Sequence, residues 1–432
     1  MNITGSYRNM FRIPELKSRI LFTAMILVVY RLGGHITTPG VDLEAIRKFF
    51  EGQQGTLVGL YDLFAGGNLR KATIFALGIM PYISASIILQ LLQAVVPYFE
   101  KLAKEGEEGR KIINQYTRYG TLVLAAIQSF GISFALARMG VVKHPGIGFT
   151  LMTVLTLTTG TMFVMWLGEQ ITDRGIGNGI SLIIFIGIVA RYPNDILNTF
   201  QALRTGQMSV VTGLLVLAFM VAVIAGIIAI TQGQRRIPVQ YAKKVVGRRI
   251  YGGANTHIPL RVNTAGVMPI IFAQSIIMFP GTLGAFFKDN AFVDALTAMF
   301  QPPHVVYIVS YTILIVLFTY FYTAVVLNPV DLADNMKKNS GFIPGVRPGR
   351  KTADYIDRVL TRVTLPGAFF LAAIAILPDL MIHYMNVPFY FGGTGLLIVI
   401  GVGLDTLQQI ESHLVMRHYD GFMTKGRLRA RR

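Results

Sequence analysis

The chain has 432 residues, of which 53% are hydrophobic and only 14% are charged. Soluble proteins carry about 25% charged residues, so this composition excludes an ordinary soluble protein and indicates one that lies in a bilayer. The net charge is +18, and the absence of cysteine excludes disulfides and thiolate metal sites. The basic residues lie between apolar stretches, where they fit orientation signals, anionic lipid or a polyanionic partner.

Ten apolar stretches each approach the roughly 20 residues that a membrane-spanning helix needs. In chain order they cover residues 18–36, 72–96, 119–137, 148–168, 176–190, 209–230, 264–287, 305–327, 363–378 and 389–410. The first follows basic residues, as in a secretory signal peptide. No small-residue cleavage pattern follows it, so we expect a retained span. The fifth and ninth are short, and tilting or snorkelling of flanking arginines would let them cross.

The distribution of basic residues predicts the orientation. An even number of spans puts both termini on one side, and with that side cytoplasmic the inner segments hold 30 of the 40 Lys and Arg residues. Two inner loops, 231–262 and 328–362, are especially basic, which fits either topology control with anionic lipid or docking of a large cytosolic partner. Five spans per half predicts two halves of inverted topology, residues 1–200 and 205–432.

A short apolar segment at residues 57–69 precedes the second predicted span, and glycines interrupt it three times. It cannot cross a bilayer by itself. The residues alone leave two interpretations, an outer surface hairpin or a re-entrant segment inside a protein-lined cavity.

The predicted spans carry charged residues only toward their ends, at Glu169, Asp379 and Asp405. Proton-coupled and sodium-coupled transporters need ionisable groups near the midplane, so this pattern argues against both. The chain also shows no zinc, nucleotide or hydrolase motif with its required spacing. We therefore predict a protein that is not an enzyme and that needs no metal or cofactor.

Isoleucines stand beside helix-interrupting residues at four places. Two pairs have a spacing of four residues, which puts each pair on one helix face, and two further isoleucines stand alone. The six are Ile79, Ile83, Ile180, Ile184, Ile271 and Ile398. Taken singly, each also fits a lipid-facing or packing position.

Eight segments, in this order, resemble the bacterial SecY family, and the resemblance extends along nearly the whole chain. They are residues 78–86, 114–120, 166–171, 174–181, 233–236, 333–338, 345–349 and 387–394. The resemblance implies an all-α polytopic membrane protein with ten transmembrane helices. These would form two inverted five-helix halves around a central hourglass pore that contains a plug.

The resemblance also assigns residues to parts of that pore. The six isoleucines match the pore ring of the family. Branched apolar side chains suit a constriction that dewets when empty and deforms around a passing chain. Residues 57–69 match the plug, in place of a surface hairpin, with Leu57, Leu60, Tyr61, Leu63, Phe64, Gly66 and Gly67. Polar residues of the lateral gate are Ser84, Ser86, Gln90, Gln274 and Ser275, although ordinary interhelical hydrogen bonds would explain them equally well. The resemblance further implies that SecA and the ribosome bind at Arg235, Arg236, Lys243, Lys244, Arg248, Arg249 and Arg347.

The implied function is a gated channel that passes unfolded secretory polypeptides across the bacterial cell membrane and releases membrane helices laterally. The implied partners are SecE, SecG, the SecA motor ATPase, the ribosome through its rRNA, signal peptides, nascent chains and anionic lipids. The alternative is a multipass secondary transporter of a small solute. A transporter needs converging polar groups near the midplane, whereas the implied pore is lined by isoleucine.

Overall fold

The computed structural model describes residues 13–51, 61–62, 64–138, 140–206, 209–241, 244–246, 249–251, 255–278, 280, 291–302, 304–385 and 393–425. The helices are α1 (Pro14–Gly33), α2 (Leu43–Glu51), α3 (Met80–Val95), α4 (Pro97–Lys104), α5 (Glu107–Arg138), α6 (Ile147–Arg174), α7 (Gly179–Val189), α8 (Tyr192–Arg204), α9 (Val210–Gln232), α10 (Met268–Ile277), α11 (Ala291–Met299), α12 (Val305–Val326), α13 (Pro329–Lys338), α14 (Arg350–Met385) and α15 (Gly393–Lys425). The strands are β1 (Gln234–Tyr241), β2 (Lys244–Val246), β3 (Arg249–Tyr251), β4 (Asn255–Arg261) and β5 (Gly341–Phe342).

The chain divides into two compact units. The first comprises residues 1–197, 278–298 and 402–432, and the second comprises residues 198–277 and 299–401. The predicted boundary near residue 200 lies close to the first break between the units. The division into inverted halves stays a prediction.

In the first unit, α5 packs between α3 and α6, and α1 and α7 lie against α6. Small residues make this packing close. Every fourth residue on one face of α5 is small and buried, namely Thr117, Thr121, Ala125, Ser129 and Ser133. The hydroxyls of Thr117 and Thr121 donate to carbonyls one turn back, at 3.0 and 2.7 Å. Their polarity is thereby satisfied within the helix, which is how small polar residues serve helix contacts in membranes.

The second predicted span begins later than the apolar stretch that indicated it. The stretch starts at residue 72, but α3 starts at Met80. The residues between form buried turns, in which Ala72 and Gly78 have φ values of 43° and 56°. The left-handed Gly78, two residues before the start of α3, prevents the helix from extending backwards. At its other end α3 stops at Val95, and the axis turns by 98° into the short helix α4, which begins at Pro97.

Six helical segments of the described residues are long and apolar enough to cross a membrane, or seven if α3 and α4 form one bent span. The six are Glu107–Arg138, Ile147–Arg174, Gly179–Arg204, Val210–Gln232, Val305–Lys338 and Arg350–Leu377. The short fifth span is thereby extended, because α8 follows α7 almost directly. The other three predicted spans overlap α1, α10 and α15 in part, and the total of ten stays a prediction.

The two basic loops fold together in the second unit. β1 pairs antiparallel with β4, and its last two residues pair with β5, so the sheet order is β4-β1-β5. One face of β1 presents Ile237 and Val239 to an apolar cluster that also holds Leu260, Met336, Ile343, Ile356 and Leu360. The sequence predicted two basic loops here and no strand, because the pairing partners lie far apart along the chain.

Candidate functional site

The first pair of candidate ring isoleucines lies at the start of α3. Ile79 occupies the position just before the helix, and Ile83 lies one turn into it, with its amide bonded to the Ile79 carbonyl at 3.1 Å. Both side chains are buried, at 1% and 4% exposure. The predicted helical spacing is therefore present, and the pair is fixed by the turn that precedes α3.

The second pair lies on α7, which begins after a glycine-rich turn as the sequence indicated. Asn178 caps this helix, since its side-chain oxygen accepts from the Ser181 amide at 3.2 Å. Ile184 is buried at 2% exposure, whereas Ile180 is half-buried. The Cγ1 atom of Ile180 lies 3.0 Å from the position that a Cβ would take at Gly168 of α6. Ile180 therefore packs against α6.

The remaining two isoleucines belong to the second unit. Ile271 on α10 and Ile398 on α15 are buried, at 2% and 0% exposure. Their helices approach closely because Gly401 leaves room for the side chain of Val267. Each unit thus buries its own share of the six isoleucines, and the complete ring stays a prediction.

The candidate plug, residues 57–69, is described in part. Leu57, Leu60 and Leu63 lie outside the described residues. Phe64 is buried at 2% exposure, and Gly66 rests on the backbone of α7, where a Cβ would lie 2.9 Å from the Gly187 Cα. The hydroxyl of Tyr61 donates to the Leu77 carbonyl at 3.4 Å. This part of the segment is buried, which does not fit an exposed surface hairpin, and its role as a plug stays a prediction.

Two glycines shape the end of this segment. Gly66 and Gly67 have φ values of 71° and 78°, a conformation that costs other residues about 1–2 kcal/mol. The side-chain amide of Asn68 (Nδ2) donates to the Ala65 carbonyl at 2.7 Å and to the Tyr30 hydroxyl at 3.2 Å. Sequence analysis assigned no role to Tyr30 or Asn68, because their contact joins residues 38 positions apart.

The candidate gate residues make local contacts. The Gln90 side chain donates to the Ser86 hydroxyl at 3.1 Å, and the Ser275 hydroxyl donates to the Ile271 carbonyl at 2.9 Å. Both bonds join residues four apart on one helix. Ser84 is half-buried. Gln274 is fully buried, and neither polar atom of its amide has a partner among the described residues. The role of these residues in a lateral gate stays a prediction, as does the alternative of ordinary interhelical hydrogen bonds.

The candidate partner-binding surface lies on the sheet of the second unit. Arg235 and Arg236 are exposed on β1, and Arg347 is exposed on the turn that follows β5. Gly345 and Gly349, at φ values of 83° and 100°, bend that turn on either side of Arg347. Lys244 and Arg249 lie in β2 and β3, while Lys243 and Arg248 lie outside the described residues.

Comparison with known proteins identifies the family. The SecY family model matches residues 73–407. A protein translocase subunit SecY from Aquifex aeolicus is 48% identical over 423 residues, which cover 96% of this chain and 98% of that protein. Its counterpart from Escherichia coli K12 is 49% identical over 96% of this chain and 95% of that protein. The chain belongs to the SecY family.

Solved structures show that it has the SecY fold. A protein-conducting channel superposes with a TM-score of 0.64 at 17% identity, covering 94% of this chain and 96% of that one. A second structure, concerning the SecY plug domain and its stabilisation of the closed state and membrane seal, gives 0.65 at 17% identity and the same coverage. The predicted family and fold class are confirmed. As a SecY-family member the chain is a multipass membrane protein and not an enzyme.

Proposed function

We propose that this SecY-family chain is the central protein-conducting subunit of a Sec translocon. It passes unfolded secretory polypeptides across the membrane and releases membrane helices laterally into it. The observation that carries the proposal is the 48–49% identity to protein translocase subunits over 96% of the chain. The rival function, secondary transport of a small solute, has no comparable support.

The buried isoleucines give this function a physical basis. A narrow apolar constriction gives ions neither water nor polar partners, so it excludes them while it is empty. Branched aliphatic side chains make no directional bonds, and they can therefore surround a polypeptide of any sequence. Ile79, Ile83, Ile184, Ile271 and Ile398 are buried within their own units, and the proposal assigns them to this constriction. Ile180 contributes less to it, since this side chain packs against α6.

The proposed partners follow from the exposed arginines and the translocon assignment. Arg347 stands on a bent, glycine-flanked turn, where a guanidinium makes a two-pronged contact with a carboxylate of the SecA motor. The basic sheet, with Arg235 and Arg236, suits rRNA phosphates of a ribosome or anionic lipid headgroups. SecE and SecG are the expected accessory subunits, and signal peptides and nascent chains are the substrates. The protein lies in the bacterial cell membrane, with both termini and the sheet in the cytoplasm.

Reconstitution tests this function. The chain is co-expressed with its SecE and SecG partners, incorporated into lipid vesicles and supplied with SecA, ATP and an unfolded preprotein. We expect the preprotein to become resistant to external protease only when ATP is present. Vesicles that contain an ATPase-inactive SecA provide the control. Absence of protection from an intact complex, or ATP-independent uptake of a small solute, would contradict the proposal.

A further inference from the structure

A buried carboxylate lies in the candidate plug, and none of the roles considered above uses it. Asp62 is only 3% exposed. Its Oδ1 accepts from the backbone amide of Arg70 at 3.0 Å, and its Oδ2 lies 3.7 Å from the Nε of the same arginine. The Asp62 carbonyl also accepts from the Gly67 amide at 2.8 Å. Asp62 is therefore bonded to two residues of the loop 64–70 that follows it, Gly67 and Arg70.

A second arginine reaches the same carboxylate from another element. Arg191 follows the C-terminal end of α7, and its Nη1 lies 3.7 Å from the Asp62 Oδ2. Its side chain is 15% exposed, and its Nε and Nη1 have no hydrogen-bond partner in the part of the chain that the structure describes. One turn earlier on α7, Gly187 supports Gly66. The loop is thus attached to α7 by a backbone contact and by an ion pair.

Neighbouring charges would leave neither partner of this ion pair isolated if the pair separated. Asp195 on α8 interacts electrostatically with both Arg191 and Arg70. Arg31 at the end of α1 also faces the loop, and its Nη1 donates to the Gly66 carbonyl at 3.5 Å. If the loop left α7, Asp62 would keep Arg70, which belongs to the same loop, and Arg191 would keep Asp195. A buried charge that loses every partner is strongly destabilising, and this arrangement avoids that penalty in both positions.

We propose that Asp62 is a positioning residue that fastens the plug segment to the C-terminal end of α7 through Arg191 and thereby sets the tightness of the closed channel. The proposal rests on the channel function proposed above. Arg70 holds the loop together as it moves, whereas the Asp62–Arg191 pair separates when the channel opens. The ion pair stabilises the closed position without making the open position inaccessible.

Neutral variants test the ion pair. Asp62→Asn and Arg191→Gln, each in the complete reconstituted complex, should raise resting ion conductance roughly tenfold. The double variant should conduct no more than the leakier single variant, because both substitutions remove the same interaction. Arg191→Lys, which keeps the charge, should conduct much less than Arg191→Gln and only slightly more than wild type. Glu100→Gln is the control, since it removes an exposed pair with Lys104 on α4 and should leave conductance unchanged.

Three outcomes would overturn the proposal. The first is wild-type conductance in both single variants when the complex assembles normally. The second is a double variant whose increase equals the product of the two single increases. The third is an Arg191→Lys variant that conducts as much as Arg191→Gln, since a charge-based contact would be retained by lysine.

A cross-linking experiment covers the case in which neutral variants assemble poorly. The chain has no cysteine, so Asp62→Cys with Arg191→Cys introduces the only two thiols. A reducible bifunctional thiol reagent long enough to replace the arginine side chain should restore a tight seal and block export, and reductant should reverse both effects. A leak that persists after cross-linking would refute the proposed attachment of the plug segment to α7. ATP-dependent protection of the preprotein, measured on the reduced complex, reports separately on the channel function.

Discussion

Asn substitutions at Ile271 and Ile398 test the closed constriction most quantitatively. Both side chains are buried, at 2% and 0% exposure. An amide buried there without a hydrogen-bond partner costs about 1–3 kcal/mol, and the cost disappears when the channel opens to water. A shift of this size changes the equilibrium between closed and open forms by about 5- to 150-fold. Resting conductance should therefore rise by a factor in that range.

The assay needs two readouts, because a poorly folded variant could also leak. Single-channel or vesicle conductance measures the resting seal, and export of a preprotein with a defective signal sequence measures gating stringency. Both should rise together in Ile271→Asn and Ile398→Asn, since one closed-state interaction restrains both. Ile313→Asn is the matched control, because Ile313 lies on α12 of the same unit with 58% exposure. Ring variants that are as tight and as stringent as wild type would show that these isoleucines only pack the helices.

Three further predictions concern other parts of the molecule. Cysteine at Lys351 should be labelled by a membrane-impermeant reagent only from the cytosol and cysteine at Lys143 only from outside; the reverse pattern would refute the orientation. Arg347→Glu should abolish SecA-driven export while the complex stays assembled, and near-normal export would reduce Arg347 to a topology signal. Gly66→Ala adds a Cβ 2.9 Å from the Gly187 Cα at a φ of 71°, which should cost the closed plug position at least about 1–2 kcal/mol; unchanged conductance would show that the plug does not rest on α7.

Hydropathy predicted the long helices well, because each is determined by local composition. The predicted spans 119–137, 148–168, 209–230 and 305–327 lie within helices α5, α6, α9 and α12, apart from residue 209 at the start of the third and residue 327 at the end of the fourth. The apolar residues 72–79 were harder, since a buried turn and a buried helix have the same composition. The left-handed backbone conformation of Gly78 is a feature that hydropathy does not report.

Contacts between distant residues account for most of what the sequence did not reveal. β1 lies in the first basic loop and pairs with β5 of the second, about 100 positions later. This pairing joins the two loops into one sheet. The ion pair between Asp62 and Arg191 joins residues more than 120 positions apart. The sequence placed Asp62 in the plug segment but offered no sign of its partner. The candidate ring isoleucines stand beside visible helix interruptions, but their role as a ring was implied only by the family resemblance and stays a prediction.

The central claim is that a polypeptide passes the buried isoleucines, and photocross-linking measures this directly. A photoreactive amino acid replaces Ile184 or Ile398, and a preprotein is stalled midway through the channel by a folded C-terminal domain. Both positions should yield adducts with the stalled preprotein only when SecA and ATP are present, and the same probe at Ile313 should yield none. Adducts with lipid alone at Ile184 and Ile398, or preprotein adducts at Ile313, would contradict an isoleucine-lined protein-conducting pore.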